Sequence, residues 1–142
     1  MAYMNQERKA QVAPLVKAVL TRYGVKGSLS VRNHMTLCLN IKAGTIDFID
    51  NFISTDQARG HAHPMTAETI QRLRNEQSLD VNPYWFHEHF SDRARAFLSD
   101  VMTALKGAGW YDKSDAHTDH FDTAYYISIS IGDWKKPYQL IA

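Results

Sequence analysis

The sequence predicts an α+β fold: a small antiparallel sheet, formed by a hairpin and a C-terminal strand, with helices packed on one face. Three observations predict it. The apolar period switches from three-and-four to two and back along the chain. Strand-like and helix-like stretches come in runs rather than in strict alternation. And 142 residues with a 44% apolar share suffice for one core in one domain, taken here as residues 1–142.

The first element is helical. Within residues 6–23, Val12, Leu15, Val16, Val19, Leu20 and Tyr23 recur at helical spacing, and Gly24 stops the pattern. Pro14 lies inside it, so the helix must either kink there or open its second half at that point. The period then becomes two. Ser28–Arg32 and Thr36–Ile41 alternate on either side of Asn33-His34, which supplies turn chemistry, so a hairpin is expected with Leu29, Val31, Leu37, Leu39 and Ile41 on one face. Residues 47–53 read as a short helix, 55–64 as an exposed loop, and 66–76 as a helix capped by Thr66. Ser91–Lys106 carries a stripe of Ala94, Phe97, Leu98, Val101, Met102 and Leu105, with Ser91 as its cap and Gly107 at its end. The last strand, Tyr125–Ile131, has the most regular alternation in the chain.

Composition narrows the function classes. One cysteine, Cys38, excludes an internal disulfide and a cysteine-based zinc cluster. The polar start shows no signal peptide, and no apolar run approaches the roughly 20 residues of a membrane span. A cytoplasmic protein is expected. Net charge is +1, yet residues 1–44 hold seven cations against one anion, and the remainder nine against fourteen. The two halves either neutralise each other in the fold or present a bipolar surface to partners.

Four features bear on chemistry. If the apolar strand residues face the helices, the other sheet face shows Ser28, Ser30, Arg32, Thr36, Cys38, Asn40, Tyr126, Ser128 and Ser130. Such a face is either simply solvated or a flat docking surface. It lacks the stacked aromatics of single-strand RNA-binding sheets, because Tyr126 stands alone. Histidines recur as His61-Ala-His63, His87-Glu-His89 and His117-Thr-Asp-His120. The H-x-H spacing points two imidazoles the same way on an extended chain and splays them on a helix, so these are either ligands or ordinary surface histidines. Asp112, Asp115, Asp119 and Asp122 would crowd one helix face, which favours a self-capped loop over a helix. The aromatic groups Tyr84-Trp85-Phe86 and Trp134 with Pro137-Tyr138 read as core or edge packing. No nucleophile elbow, phosphate loop or H-E-x-x-H motif occurs, so no catalytic residue, metal or cofactor is expected.

Certain stretches carry a resemblance. They are Ala2-Tyr-Met-Asn-Gln-Glu-Arg-Lys9, Val25–His34 leading into Leu37-x-Leu-Asn-Ile41, and Ile46-Asp-Phe-Ile49. Further on they are Lys113-Ser-Asp115, Thr118-Asp-His-Phe121 and Ile129–Tyr138. Together they resemble the small phage and plasmid proteins grouped as a large polyvalent protein associated domain, over about residues 5–56 and 84–138. That family commonly has Tyr where this chain has His120, which argues against His120 as an essential ligand. The resemblance implies an accessory protein of a mobile element, of the kind that counters host defence by stoichiometric binding, often through acidic surfaces that imitate nucleic acid.

The expectation is therefore a non-enzymatic binding protein acting on a host protein or ribonucleoprotein complex, foremost a CRISPR effector. Its contacts are expected from Arg32, Asn33 and His34 and from the acidic Asp112, Asp115, Asp119 and Asp122. A nucleic-acid-binding module using Arg8, Lys9, Lys17, Arg22, Lys26 and Arg32 is the alternative. A metal-dependent hydrolase using His117, Asp119 and His120 is the third.

Overall fold

The computed structural model describes residues 2–60, 62–112, 123–133 and 135–141. Helix α1 spans Gln6–Tyr23 and opens where the Asn5 side chain accepts the Arg8 backbone N–H at 2.8 Å. It closes at Gly24, whose φ of 67° is the left-handed cap that a side chain would strain. Pro14 neither ends nor restarts the helix. It sits on the solvent side, where water can satisfy the carbonyl its ring leaves without a donor. The buried stripe is Val12, Val16 and Val19, while Leu15 is half exposed.

Strands β1 (Val25–Arg32) and β2 (Thr36–Gly44) form the predicted hairpin, with Leu29 opposite Leu39. Helix α2 (Phe48–Ala58) begins under an Asp47 cap and runs on into residues expected to form a loop. Helix α3 (Ala67–Glu76) starts at Thr66, whose hydroxyl accepts the Thr69 N–H as expected. The short strand β3 (Leu79–Val81) and the single-turn helix α4 (Phe86–His89) follow. Helix α5 (Asp92–Leu105) is not capped by Ser91; that hydroxyl instead bonds to Asn51 and Thr55, tying the start of α5 to α2. Strands β4 (Tyr126–Ile131) and β5 (Gln139–Leu140) complete the described elements.

The fold class is α+β, but the sheet is mixed rather than antiparallel. Its order is β1-β2-β4-β3, with β5 on the end of β2. β1 and β3 run antiparallel to their neighbours, whereas β4 and β5 both lie parallel to β2. Parallel neighbours need a long crossover, and the four helices between β2 and β4 provide it. Alternation reads the same in either direction, so the pattern of β4 carried no information about its sense.

The apolar face of the sheet (Leu37, Leu39, Ile41, Ile129, Ile131) packs under α1 and α5 in one core with Phe48, Phe90 and Phe97. Ile49, Ile53 and Leu73 form a smaller cluster that binds α3 to α2. After β4 the chain turns at Gly132, and this hook returns through Tyr138 to β5. A Cβ on Gly132 would collide with the Gln77 carbonyl oxygen and approach the Tyr138 nitrogen to 2.7 Å. Tyr138 is thereby buried, its hydroxyl donating to the Ile46 carbonyl at 2.7 Å.

Candidate functional site

Among the described residues, no helix covers the middle rows of the sheet's second face. Alternation along β2 places Thr36, Cys38, Asn40 and Lys42 on it, and the register sets neighbours beside each. Arg32, Thr36 and Tyr126 form one row; Ser30, Cys38 and Ser128 a second; Ser28, Asn40, Ser130 and Asp80 a third. None of these residues is buried.

Asn40 organises the centre. Its amide donates to Ser130 Oγ at 2.9 Å and to the Gly132 carbonyl at 2.8 Å, holding β2, β4 and the start of the hook in one arrangement. Two open grooves meet at Asn40 and Asp133. One, of about 580 Å³, is bordered by Arg32, Arg72, Glu76, Asp80 and Ser130. The other, of about 740 Å³, is bordered by Lys42, Lys135, Lys136, Pro137 and Gln139. Arg72 and Glu76 pair at 3.5 Å, and the Asp133 carboxylate accepts the Lys135 backbone N–H at 2.8 Å.

The expected contact residues gather at the other end of the sheet. Asn33 and His34 both have φ of 55° and are exposed; residues of this type tolerate the left-handed turn that closes the hairpin. The His34 carbonyl accepts the Met4 N–H at 2.7 Å, so this turn also anchors the N-terminal segment. The Met35 carbonyl accepts the Tyr126 N–H at 2.9 Å, and the Ala124 carbonyl accepts the Tyr3 N–H at 2.9 Å. Asp112 is exposed and bridges Thr123 at the neck of the acidic stretch, adjoining this end. Asp115, Asp119 and Asp122 lie outside the described residues, as do His61, Trp134 and the His117, Asp119 and His120 of the hydrolase reading.

Tyr126 is not alone. Tyr84 is 57% exposed and lines a slot with Tyr126, Trp110 and Lys106, where β3 has ended. Burial first, then the charge of Asp112 and the neighbouring Tyr126, pushes the Tyr84 phenol up. Trp85 is also exposed, so Tyr84 and Trp85 are not core residues, whereas Tyr138 is; Tyr84 packs at the edge of the sheet, the other half of that expectation. Both sit in the turn after β3, where the Asn82 side-chain oxygen accepts the Tyr84 and Trp85 backbone N–H groups at 2.9 and 3.2 Å.

His87 and His89 stand on the single turn of α4, so their imidazoles diverge. His89 packs edge-on against Phe52, and desolvation, followed by the Arg59 charge, lowers its pKa. Among the described residues no group of three histidine, cysteine or acidic side chains is placed to hold a metal ion. Of the cations of the N-terminal third, Arg8 donates to the Tyr3 carbonyl, Arg22 pairs with Asp100, and Lys26 and Arg32 belong to β1.

Fold and site thus define an α+β protein with one covered sheet face and one that is open among the described residues. No known protein family, curated protein or solved structure matches the chain. No helix among the described residues is long and apolar enough to cross a membrane.

Proposed function

We propose that this is a non-enzymatic binding protein that docks a partner on the open face of its sheet. The observation that carries this reading is that face itself: three cross-strand rows of mostly polar side chains, none buried, backed by a packed core. A preorganised flat surface loses little entropy on docking, because strands fix its side-chain positions before the partner arrives.

The partner in this reading is a host protein or ribonucleoprotein complex in the bacterial cytoplasm, foremost a CRISPR effector. That context comes from the resemblance to mobile-element proteins described above. The convergence of Arg32, the Asn33-His34 turn and the Asp112 neck at one end of the sheet supports it, since a partner could touch all three together.

Co-expression with a panel of CRISPR effectors, read by phage plaquing and co-purification, tests the proposal. The wild-type protein is expected to co-purify with an effector and restore plaquing. Ser30→Arg with Ser128→Arg, which crowds the middle of the face without touching the core, is expected to abolish both. Failure to inhibit or capture any effector removes the counter-defence reading, and undiminished capture by the double variant removes the open face as its site.

A further inference from the structure

We propose that the outer edge of β1 is a strand-addition site for an extended segment of another protein, bound antiparallel, with acidic residues flanking an alternating core. This goes beyond the docking-face reading, because the edge offers backbone groups rather than the open face, and either can fail without the other.

The register shows which backbone groups are free. The Met35 carbonyl accepts the Tyr126 N–H and the Ile41 carbonyl accepts the Gly132 N–H at 2.8 Å, so alternate residues of β2 serve β4 and those between them serve β1. Thr36, Cys38 and Asn40 thus turn their peptide groups toward Arg32, Ser30 and Ser28, which lie opposite them. The intervening Gly27, Leu29 and Val31 point N–H and carbonyl away from the sheet. Among the described residues no strand pairs with them there.

Sheet edges are ordinarily blunted by brevity, charge, proline or a bulge. The far edge of this sheet is: β3 has three residues, carries Asp80, and shares a groove with Arg72 and Glu76. β1 instead runs for eight residues, and Gly27–Val31 within it holds neither charge nor proline. The register shift in the hairpin passes over Lys42, so it bulges β2 and leaves β1 regular.

The two ends of the edge name its occupant. Lys26 and Arg32 are exposed, and neither has an ion pair among the described residues. A second copy paired about Leu29 would set Lys26 opposite Arg32 twice, and like charges facing each other across strands repel. The next registers either way bring His34 or Gly24 into the pairing, both in the left-handed conformation at the ends of the strand. An antiparallel segment with carboxylates at the spacing of Lys26 and Arg32 meets both cations instead. Apolar residues between those carboxylates would lie beside Leu29 and Val31, which are only partly buried against the core. The free ladder also selects the class of partner: it matches another peptide backbone, whereas a nucleic acid has no amide and carbonyl repeat at strand spacing.

NMR titration of the full chain with the blocked heptapeptide Glu-Val-Thr-Val-Thr-Val-Glu tests this. Saturable binding is expected, with amide hydrogen exchange at Gly27, Leu29 and Val31 slowed about tenfold or more. Exchange at Ser28 and Ser30, whose amides already face β2, should not change. N-methylation of the peptide valines removes the donors that face β1 and should abolish binding. Exchanging both peptide glutamates for lysine should weaken it about fivefold. Lys26→Glu with Arg32→Glu should reverse that preference while melting like the wild type, since both side chains are exposed. Absence of saturable binding overturns the proposal, as does equal binding of the N-methylated peptide or an unreversed preference in the double variant. Protection of Gly27, Leu29 and Val31 that grows with protein concentration alone assigns the edge to a second copy and overturns it as well.

Discussion

The two faces of the sheet are made from alternate residues of the same strands, yet they have opposite fates. Leu37, Leu39 and Ile41 are at most 1% exposed, while Cys38 and Asn40 between them remain open to solvent. The difference is one of partners. The leucine side meets the valines of α1 and the Phe97-centred stripe of α5, and its burial at about 25 cal/mol per Å² is the main force holding helices to sheet. Among the described residues the serine side meets no helix across its middle rows, and covering it with an apolar layer would strand hydroxyls without partners. Stability therefore resides on one face and availability for contact on the other.

The largest expected effect tests the covered side. Phe97 is fully buried between Tyr23 and Phe48, at ring separations of 5.4 and 5.5 Å. Phe97→Ala is expected to cost about 3–5 kcal/mol in urea denaturation, because the rings around it cannot all collapse into the void. A cost below about 1 kcal/mol would mean that α5 is not packed as described.

An intermediate effect is expected at the join between the faces. Tyr138→Phe removes the hydroxyl that satisfies the buried Ile46 carbonyl and should cost about 1–2 kcal/mol at neutral pH. Burial first, then the Asp47 charge, raises the Tyr138 phenol above its ordinary value of 10.0, and burial raises Tyr125 as well. Above that ordinary value the unfolded chain loses phenolic protons that the folded protein keeps, so the unfolded state binds fewer protons. Stability contributed by these two tyrosines is then complete below pH 10.0 and is lost as pH rises toward their folded values. Thermal melts from neutral to strongly alkaline pH should show this decline, and Tyr138→Phe should make it shallower. An unchanged alkaline slope would place the hydroxyl in water instead.

The smallest effect tests the open side. Ser128→Ala should change stability by less than about 0.5 kcal/mol, since the side chain sits on the uncovered face. A loss comparable to that at Tyr138 would reveal a layer over this face.

Much of the frame was legible because it depends on local periodicity. The hairpin register, the helix caps at Gly24 and Thr66, and the α5 stripe all follow from residues within a few positions of one another. The proposed contact residues were legible more unevenly. Arg32 falls on the open face as the alternation of β1 requires, whereas Asn33 and His34 serve first as the turn that closes the hairpin. Ser91 misled because its hydroxyl found Asn51 and Thr55, forty and thirty-six positions away, in place of the adjacent helix N-terminus. β3 and β5 were missed because three and two residues are too short to show a period.

By itself, then, the sequence determined which side chains share a face, because the 3.6- and two-residue periods are properties of the backbone. Only the tertiary structure decided that β4 runs parallel to β2 and that Tyr84 joins Tyr126. It also decided that the groove bordered by lysines of β2 and the hook meets, at Asn40 and Asp133, the one bordered by arginines of β1 and α3. These are contacts between residues tens of positions apart. They are set by how the helices cross over and how the core closes, and no local pattern in the chain encodes them.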